Sequence, residues 1–283
     1  MLRIAIQSKG RLHDDTMSLL READIKVGES KRTLLVRARN FPVEALFLRD
    51  DDIPATVADG VADIGVVGLN ELEEKGADVE IVRHLGFGAC RLSIAVPNKE
   101  AYDGPQWLQG KKIATSYPAI LRRWLDSQGV SASIHVISGS VEISTGVGLA
   151  DAIFDIVSSG STLVNNNLRE VETVMQSDAV LIARRSLEAD RRRTLDEMLF
   201  RFDAIQSAET KKYVLLNAPQ DKVGEITALL PGVKSPTVMP LAESGWCSVH
   251  TVIDEDRFWE IIGKLKAAGA QGILVMDIEK LIV

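Results

Sequence analysis

Residues 148–167 read GLADAIFDIVSSGSTLVNNN. From 151 to 157 the run is apolar on both faces apart from its acids, so it reads as a buried strand of a mostly parallel sheet. Ser158, Ser159, Gly160, Ser161 and Thr162 then end the strand and lead, through Leu163, into a helix start. Strand, small-residue turn and helix in this order belong to an open α/β sheet, in which ligands bind at the carboxyl ends of strands. The two-residue period puts positions 151, 153, 155 and 157 on one face, so Asp151 and Asp155 are expected to project together. Two carboxylates on a buried strand are costly unless they bind something. Backbone N–H groups and hydroxyls over 158–162 make a nest suited to a phosphate. Ionised carboxylates only accept hydrogen bonds and so suit sugar hydroxyls. The segment therefore reads as a grip for a ribose 5-phosphate, and equally as an ordinary Ser/Thr-capped turn, because Ser, Thr and Gly are common in turns.

The same alternation extends outward. RIAIQ (3–7) reads as a strand, HDDTMSLLREA (13–23) as an amphipathic helix, and TLLVRA (33–38) with VEALFLR (43–49) as a hairpin-like pair. DDDIPATVADG (50–60) carries an acidic start and a Gly stop, and ADIGVVG (62–68) is another buried strand. A Pro-, Gly- and Asn-bearing stretch at 97–112 marks a crossing between lobes. A second α/β unit follows: strand 112–116, helix 119–129, strand 134–137, helix 141–148 and strand 151–157. Strands 171–175 and 179–185 lead back to the first lobe, and 187–210 is a long charged helix. The remainder reads strand 212–218, helix 220–230, strands 237–242 and 247–253, helix 256–270 and strand 272–278. That is βαββαβ, a ferredoxin-like order. The expected domains are a discontinuous first lobe (1–95 and 180–210), a second lobe (96–179) and a C-terminal domain (211–283).

Composition narrows the class. With 283 residues, 46% hydrophobic and 26% charged, the chain is ordinary globular material, long enough for several cores. A net charge of −7 argues against a nucleic-acid partner, although an anionic substrate needs a local basic patch. Cys90 and Cys247 stand in no CxxC, and His13, His84, His135 and His250 show no HxxxH spacing. The start MLRIAIQSKGR has no secretory character and no apolar run reaches membrane-spanning length, so a cytoplasmic protein without a membrane partner is expected.

Three further segments could carry chemistry. Lys9, Gly10 and Arg11 follow the first strand and offer cations with close backbone approach, suited to a polyphosphate or to solvent. Arg49 precedes Asp50, Asp51 and Asp52, which resemble a metal site but fit a helix N-terminus better, leaving Arg49 as the ligand candidate. Gly65 to Gly68 would let a flat ring approach the backbone. Neither GxGxxG nor GxxxxGK[ST] is present.

SKGRL, LRDDDIP, ADIGVVG, FGACRLSIAVP, KIATSYP and above all GLADAIFDIVSSGSTLVNNNLREVE resemble the ATP phosphoribosyltransferase family, in its long, histidine-regulated form. The resemblance covers nearly the whole chain. It implies a two-lobed core similar to periplasmic binding proteins, with the active site in the cleft and a C-terminal regulatory domain. The implied reaction is Mg²⁺-dependent: N1 of the ATP adenine attacks C1 of phosphoribosyl pyrophosphate, giving phosphoribosyl-ATP and pyrophosphate at the first step of histidine biosynthesis. It places the 5-phosphate on Ser158, Ser159, Gly160, Ser161 and Thr162, and Asp151, Asp155 and Glu142 by the ribose. Lys9, Gly10, Arg11 and Arg49 match the polyphosphate or ATP side, and Gly68 and Leu69 the wall near the nucleotide, with the role of Asn70 open. No protein metal ligand is implied, Mg²⁺ riding mainly on the pyrophosphate. Histidine is the implied inhibitor, with Asn217, Ser235, Thr237, Leu241, Ser248 and Gly272 as candidate contacts, and dimers assembling into hexamers are implied. Competing readings are a two-lobed solute-binding protein and a regulatory paralogue that keeps the fold without the chemistry.

Overall fold

The computed structural model describes residues 1–28, 33–230, 232 and 234–282. It divides into two compact units, Met1–Leu195 and Asp196–Val283. The first unit opens with strand β1 (Leu2–Gln7), helix α1 (Arg11–Glu22), β2 (Leu35–Arg37), β3 (Val43–Leu48), a 3-10 turn at Asp50–Asp52, α2 (Ile53–Ala58), β4 (Ile64–Gly68), α3 (Leu69–Lys75) and β5 (Glu80–His84). Then come β6 (Cys90–Pro97), β7 (Lys112–Thr115), α4 (Pro118–Ser127), β8 (Ser133–Val136), β9 (Ala152–Val157), α5 (Ser161–Asn165), β10 (Leu168–Ser177) and β11 (Ala179–Ala183).

These strands form two sheets. The first is ordered β2-β3-β1-β4-β11-β5 and the second β10-β6-β9-β7-β8. Each has a parallel centre: β1 pairs in parallel with β3 and β4, and β7 with β8 and β9. Antiparallel pairings continue the first sheet on both sides of its parallel strands and the second on one side, where β8 is the other edge. β9 shows why the sequence reads as it does. Ala152 and Phe154 pack into one core with Leu92, Leu121 and Leu125, while Ile153 and Val157 pack into another with Ala114, Leu163 and Leu168. A strand covered on both faces has no reason to alternate.

The chain changes sheets before β6, not within 97–112 as the sequence suggests, because β6 is already hydrogen-bonded in the second sheet. Gly86 and Gly88, both at positive φ, lie just ahead of it. The return falls between Ser177, the end of β10, and Ala179, the start of β11. The expected helix at 141–148 is only a 3-10 turn, Val141–Ile143. Gly146 and Gly148 cost helix propensity, and Gly148 takes φ +74° instead. Asp63, buried at 1%, fixes the end of this unit: it accepts from Arg3 N–H at 2.9 Å and pairs with Arg184 at 3.2 Å and with Arg191.

Helix α6 (Ala189–Glu209) runs into the second unit, which contains β12 (Lys211–Pro219), α7 (Val223–Leu229), β13 (Thr237–Pro240), β14 (Trp246–Asp254), α8 (Glu255–Ala267) and β15 (Gln271–Asp277). The sheet order β13-β14-β12-β15 completes the expected βαββαβ arrangement. Its core joins Val214, Leu216, Cys247 and Val249 to Ile226, Ile261 and Leu265 of the two helices.

Candidate active site

Six parallel strand ends supply the candidate residues. In the first lobe these are the ends of β1 (Gln7 to Arg11), β3 (Leu48 to Asp50) and β4 (Gly68 to Glu71). In the second they are the ends of β7 (Ser116, Tyr117), β8 (towards Glu142) and β9 (Val157 to Thr162). A cleft of about 410 Å³ opens among them, lined by Arg11, Asp50, Gly68, Glu71, Tyr117 and Ser158 and bounded by the crossing residues Gly88 to Cys90. A neighbouring depression shares Ala89, Cys90 and Ser158 and adds Leu69, His84 and Asp178.

Loop geometry at the end of β9 fits an anion nest. Gly160 takes φ +79°, a left-handed conformation that disfavours side chains, and caps α5. The Ser159 and Ser161 hydroxyls are 3.0 Å apart, and Ser158, Ser159, Ser161 and Thr162 are exposed. Arg91 donates to the Ser158 carbonyl at 3.1 Å while its other nitrogens grip Glu170 at 2.6 Å. This pair, with Ser93 donating to Glu170 at 2.7 Å, holds the Glu170 carboxyl down to about 2.

Asp155 lies next to this loop. Burial pushes its carboxyl up to about 6, the Glu142 charge adds to the shift, and the Ile156 N–H at 2.8 Å offsets part of it. Across the cleft, Asn70 donates to the Tyr117 hydroxyl at 3.1 Å, receives the Ser177 hydroxyl at 2.9 Å on its carbonyl, and donates its backbone N–H to Ser177 at 3.0 Å. The Asn70 carbonyl oxygen would sit 2.4 Å from a Cβ at Gly68, so a side chain there would have to push Asn70 from its bonds to Ser177 and Tyr117. Burial raises Glu71; the Tyr117 hydroxyl lowers it, Asp50 and Asp51 push it up, and Lys75 opposes them. Tyr117 is raised chiefly by burial and then by Glu71, with Asp155 contributing. Below this network, Glu74 of α3 accepts from the Ala119 and Ile120 N–H groups of α4 at 2.8 and 2.9 Å.

Not every candidate comes together. Asp151 precedes β9, four residues and so about 13 Å of strand from Asp155. Its carboxylate accepts from the Lys112 N–H at 2.8 Å, and it lines a separate depression with Lys99, Lys111 and Lys112. Shared facing was legible; strand direction, which separates the two acids, was not used. Lys9 is exposed beside Gly10, and Arg49 is an exposed side chain 3.4 Å from Asp51. Among the described residues no three His, Cys, Asp or Glu side chains gather into a metal cage. Sequence reasoning left out Glu71, Tyr117 and Ser177. An acid three residues after a strand-ending glycine was the available signal for Glu71; nothing local marked the others.

In the C-terminal unit, Asn217 is the register partner of Ser248 and of Gln271, and its amide would lie 3.3 Å from a Cβ at Gly272. Thr237 pairs in register with His250, and the Leu241 N–H donates to the Trp246 carbonyl at 3.0 Å. Ser235 precedes β13. His250 bridges the Tyr213 hydroxyl at 2.7 Å and the Ser248 hydroxyl at 2.9 Å, a contact the sequence did not suggest.

The family model for ATP phosphoribosyltransferase matches residues 49–204, and the model described as HisG, C-terminal domain, matches residues 208–280. The ATP phosphoribosyltransferase of Bacteroides thetaiotaomicron is 65% identical over 283 residues, spanning both chains completely. That of Cytophaga hutchinsonii is 55% identical over 282 residues, covering 100% of this chain and 99% of that one. Among solved structures, a chain of the ATP phosphoribosyl transferase (HisG:HisZ) complex from Thermotoga maritima superposes with a TM-score of 0.63 at 27% identity, covering 71% of this chain and 96% of that one. The chain belongs to the ATP phosphoribosyltransferase family, the transferases that open histidine biosynthesis.

Proposed function

We propose that the cleft joins the ATP adenine N1 to C1 of phosphoribosyl pyrophosphate, with Asp155 and the 158–162 loop holding the phosphoribosyl group. The observation that carries this reading is the convergence of five parallel strand ends on one cleft, with a left-handed Gly160 loop beside a half-buried carboxylate. Ser158 to Thr162 hold the 5-phosphate through N–H groups and hydroxyls. Asp155 accepts from a ribose hydroxyl, and with Glu142 favours the positive charge that develops on the ring. Arg11, assisted by Lys9, Gly10 and Arg49, faces the polyphosphate, and Gly68 with Leu69 forms the nucleotide wall. No side-chain nucleophile is needed, since the attacking atom belongs to ATP; placement supplies much of the rate.

Mg²⁺ binds through substrate phosphates and one or two carboxylates more readily than in an all-protein cage. The donor set fits that mode, with Asp155 and Glu142 as the carboxylates on hand. When bound, the ion neutralises charge on the departing pyrophosphate.

The C-terminal unit is read as a histidine-binding, feedback-inhibitory domain using Asn217, Ser235, Thr237, Leu241, Ser248 and Gly272. The protein is read as cytoplasmic, assembling from dimers to hexamers, with the regulatory domain at 211–283. No helix among the described residues is long and apolar enough to cross a membrane.

The test is incubation of the protein with ATP, phosphoribosyl pyrophosphate and Mg²⁺. Phosphoribosyl-ATP is expected, its formation falling as histidine rises. No product overturns the catalytic reading; product insensitive to millimolar histidine overturns the regulatory one.

A further inference from the structure

The cleft is lined by two acids that none of the roles above uses, Asp50 and Glu71. Glu71 lines it on the α3 side, together with Arg11, Gly68 and Tyr117. Burial raises its carboxyl and the neighbouring Tyr117 hydroxyl lowers it, and that hydroxyl is itself anchored by the buried Asn70 amide at 3.1 Å. Asp155 is close enough for its charge to act on Tyr117. Glu71 and Tyr117 line the cleft together with Gly68 of the nucleotide wall, and Tyr117 lies within reach of the charge of the ribose acid Asp155. The reaction joins a base to a ribose, so groups near both subsites bear on the forming bond.

We propose that Glu71 is a further catalytic residue, its carboxylate accepting a hydrogen bond from the exocyclic N6–H of the adenine while N1 attacks, with Tyr117 positioning it. The inference rests on the cleft reading above. Its chemistry balances without an added reagent. The N1 lone pair forms the bond to C1, and the C1–O bond breaks with its electron pair leaving on pyrophosphate. The positive charge then spreads over N1, C6 and N6 of the adenine. N6–H becomes a stronger donor as this happens, so a fixed carboxylate beside it is favoured more in the transition state than in the ground state. No proton has to leave. Four other groups bear on Glu71: Asp50 and Asp51 repel a charge there, Lys75 attracts it, and the Tyr117 hydroxyl stabilises it. Arg11 lines the same cleft. One acid flanked by two others suits a neutral N–H donor that gains positive character, and opposes a phosphate.

The experiment uses the full-length protein and two nucleotides, ATP and purine riboside triphosphate, which lacks the 6-amino group. Affinities of both are measured by calorimetry, and turnover is measured with ATP. Wild type is expected to bind ATP about tenfold more tightly than the analogue, the scale of a hydrogen bond to a charged group. Glu71→Gln is expected to bring that ratio within about twofold and to lower kcat about tenfold or more, with affinity for phosphoribosyl pyrophosphate unchanged. Tyr117→Phe, the second variant should the first misfold, is expected to narrow the same ratio in part, which a purely structural role would not do. A wild type indifferent to the 6-amino group, or variants that keep the wild-type ratio, overturn the proposal. Gly160→Val separates the two levels. If it abolishes phosphoribosyl pyrophosphate binding while the nucleotide ratio ignores Glu71, only this inference falls; if it leaves that binding intact, the cleft reading itself falls.

Discussion

The two ends of β9 carry the same residue type to opposite fates. At its start, Asp151 is exposed, accepts the Lys112 N–H and ties β9 to the beginning of β7. Near its end, Asp155 is half-buried, close to a second acid and next to a loop of exposed hydroxyls. Both acids follow the same two-residue facing rule. Facing decides which side of a sheet a residue occupies, but in a parallel sheet the binding crevice lies only beyond the carboxyl ends. Direction along the strand therefore separates an acid that organises backbone from one free to meet substrate.

The largest test of this contrast is Gly160→Val. A β-branched residue resists φ +79°, so the loop should re-form and affinity for phosphoribosyl pyrophosphate should fall about a hundredfold by calorimetry, while folding survives at an exposed turn. Unchanged affinity would detach the carboxyl end of β9 from binding. Next comes the pair of acids. Asp155→Asn should lower turnover by more than about tenfold, whereas Asp151→Asn should leave it within about threefold, in line with losing a charge-assisted hydrogen bond at the site against losing one in the scaffold. Equal losses would erase the distinction.

A pH profile sharpens it further. If ionised Asp155 is the working form, the acid limb of turnover should fall near pH 6 and vanish in Asp155→Asn. Stability runs the other way. A carboxyl raised on folding contributes fully below its ordinary value of 3.8, and that contribution is lost as pH rises through about 6. The smallest effect is expected at Glu170, whose carboxyl is held near 2 by Arg91. Its contribution is present above 4.5 and lost as pH falls towards 2, so urea midpoints of wild type and Glu170→Gln should converge over that range.

Much of the architecture was legible because doubly covered strands such as 64–68 and 152–157 are continuous apolar runs, and because the turn at 158–162 announces itself by composition. The crossing before Cys90 was not legible: it depends on which strands pair, a long-range choice that composition does not record. The helix expected at 141–148 does not form because Gly146 and Gly148 disfavour it, leaving a single 3-10 turn. In the site, Asp155 and the 158–162 loop could be found because they are contiguous. The Asn70–Ser177 pair, 107 residues apart, could not, since only folding brings its members together.

The clash between a Cβ at Gly68 and the Asn70 side chain has an evolutionary consequence. A side chain at position 68 must displace the Asn70 amide from Ser177 and Tyr117, so the cost of substitution there belongs to its neighbour. Shortening Asn70 first opens a route by which alanine can enter at 68, so the two positions form an epistatic pair. Lineages that lose the asparagine amide gain freedom at the glycine, and in exchange they must find another partner for Ser177 and Tyr117.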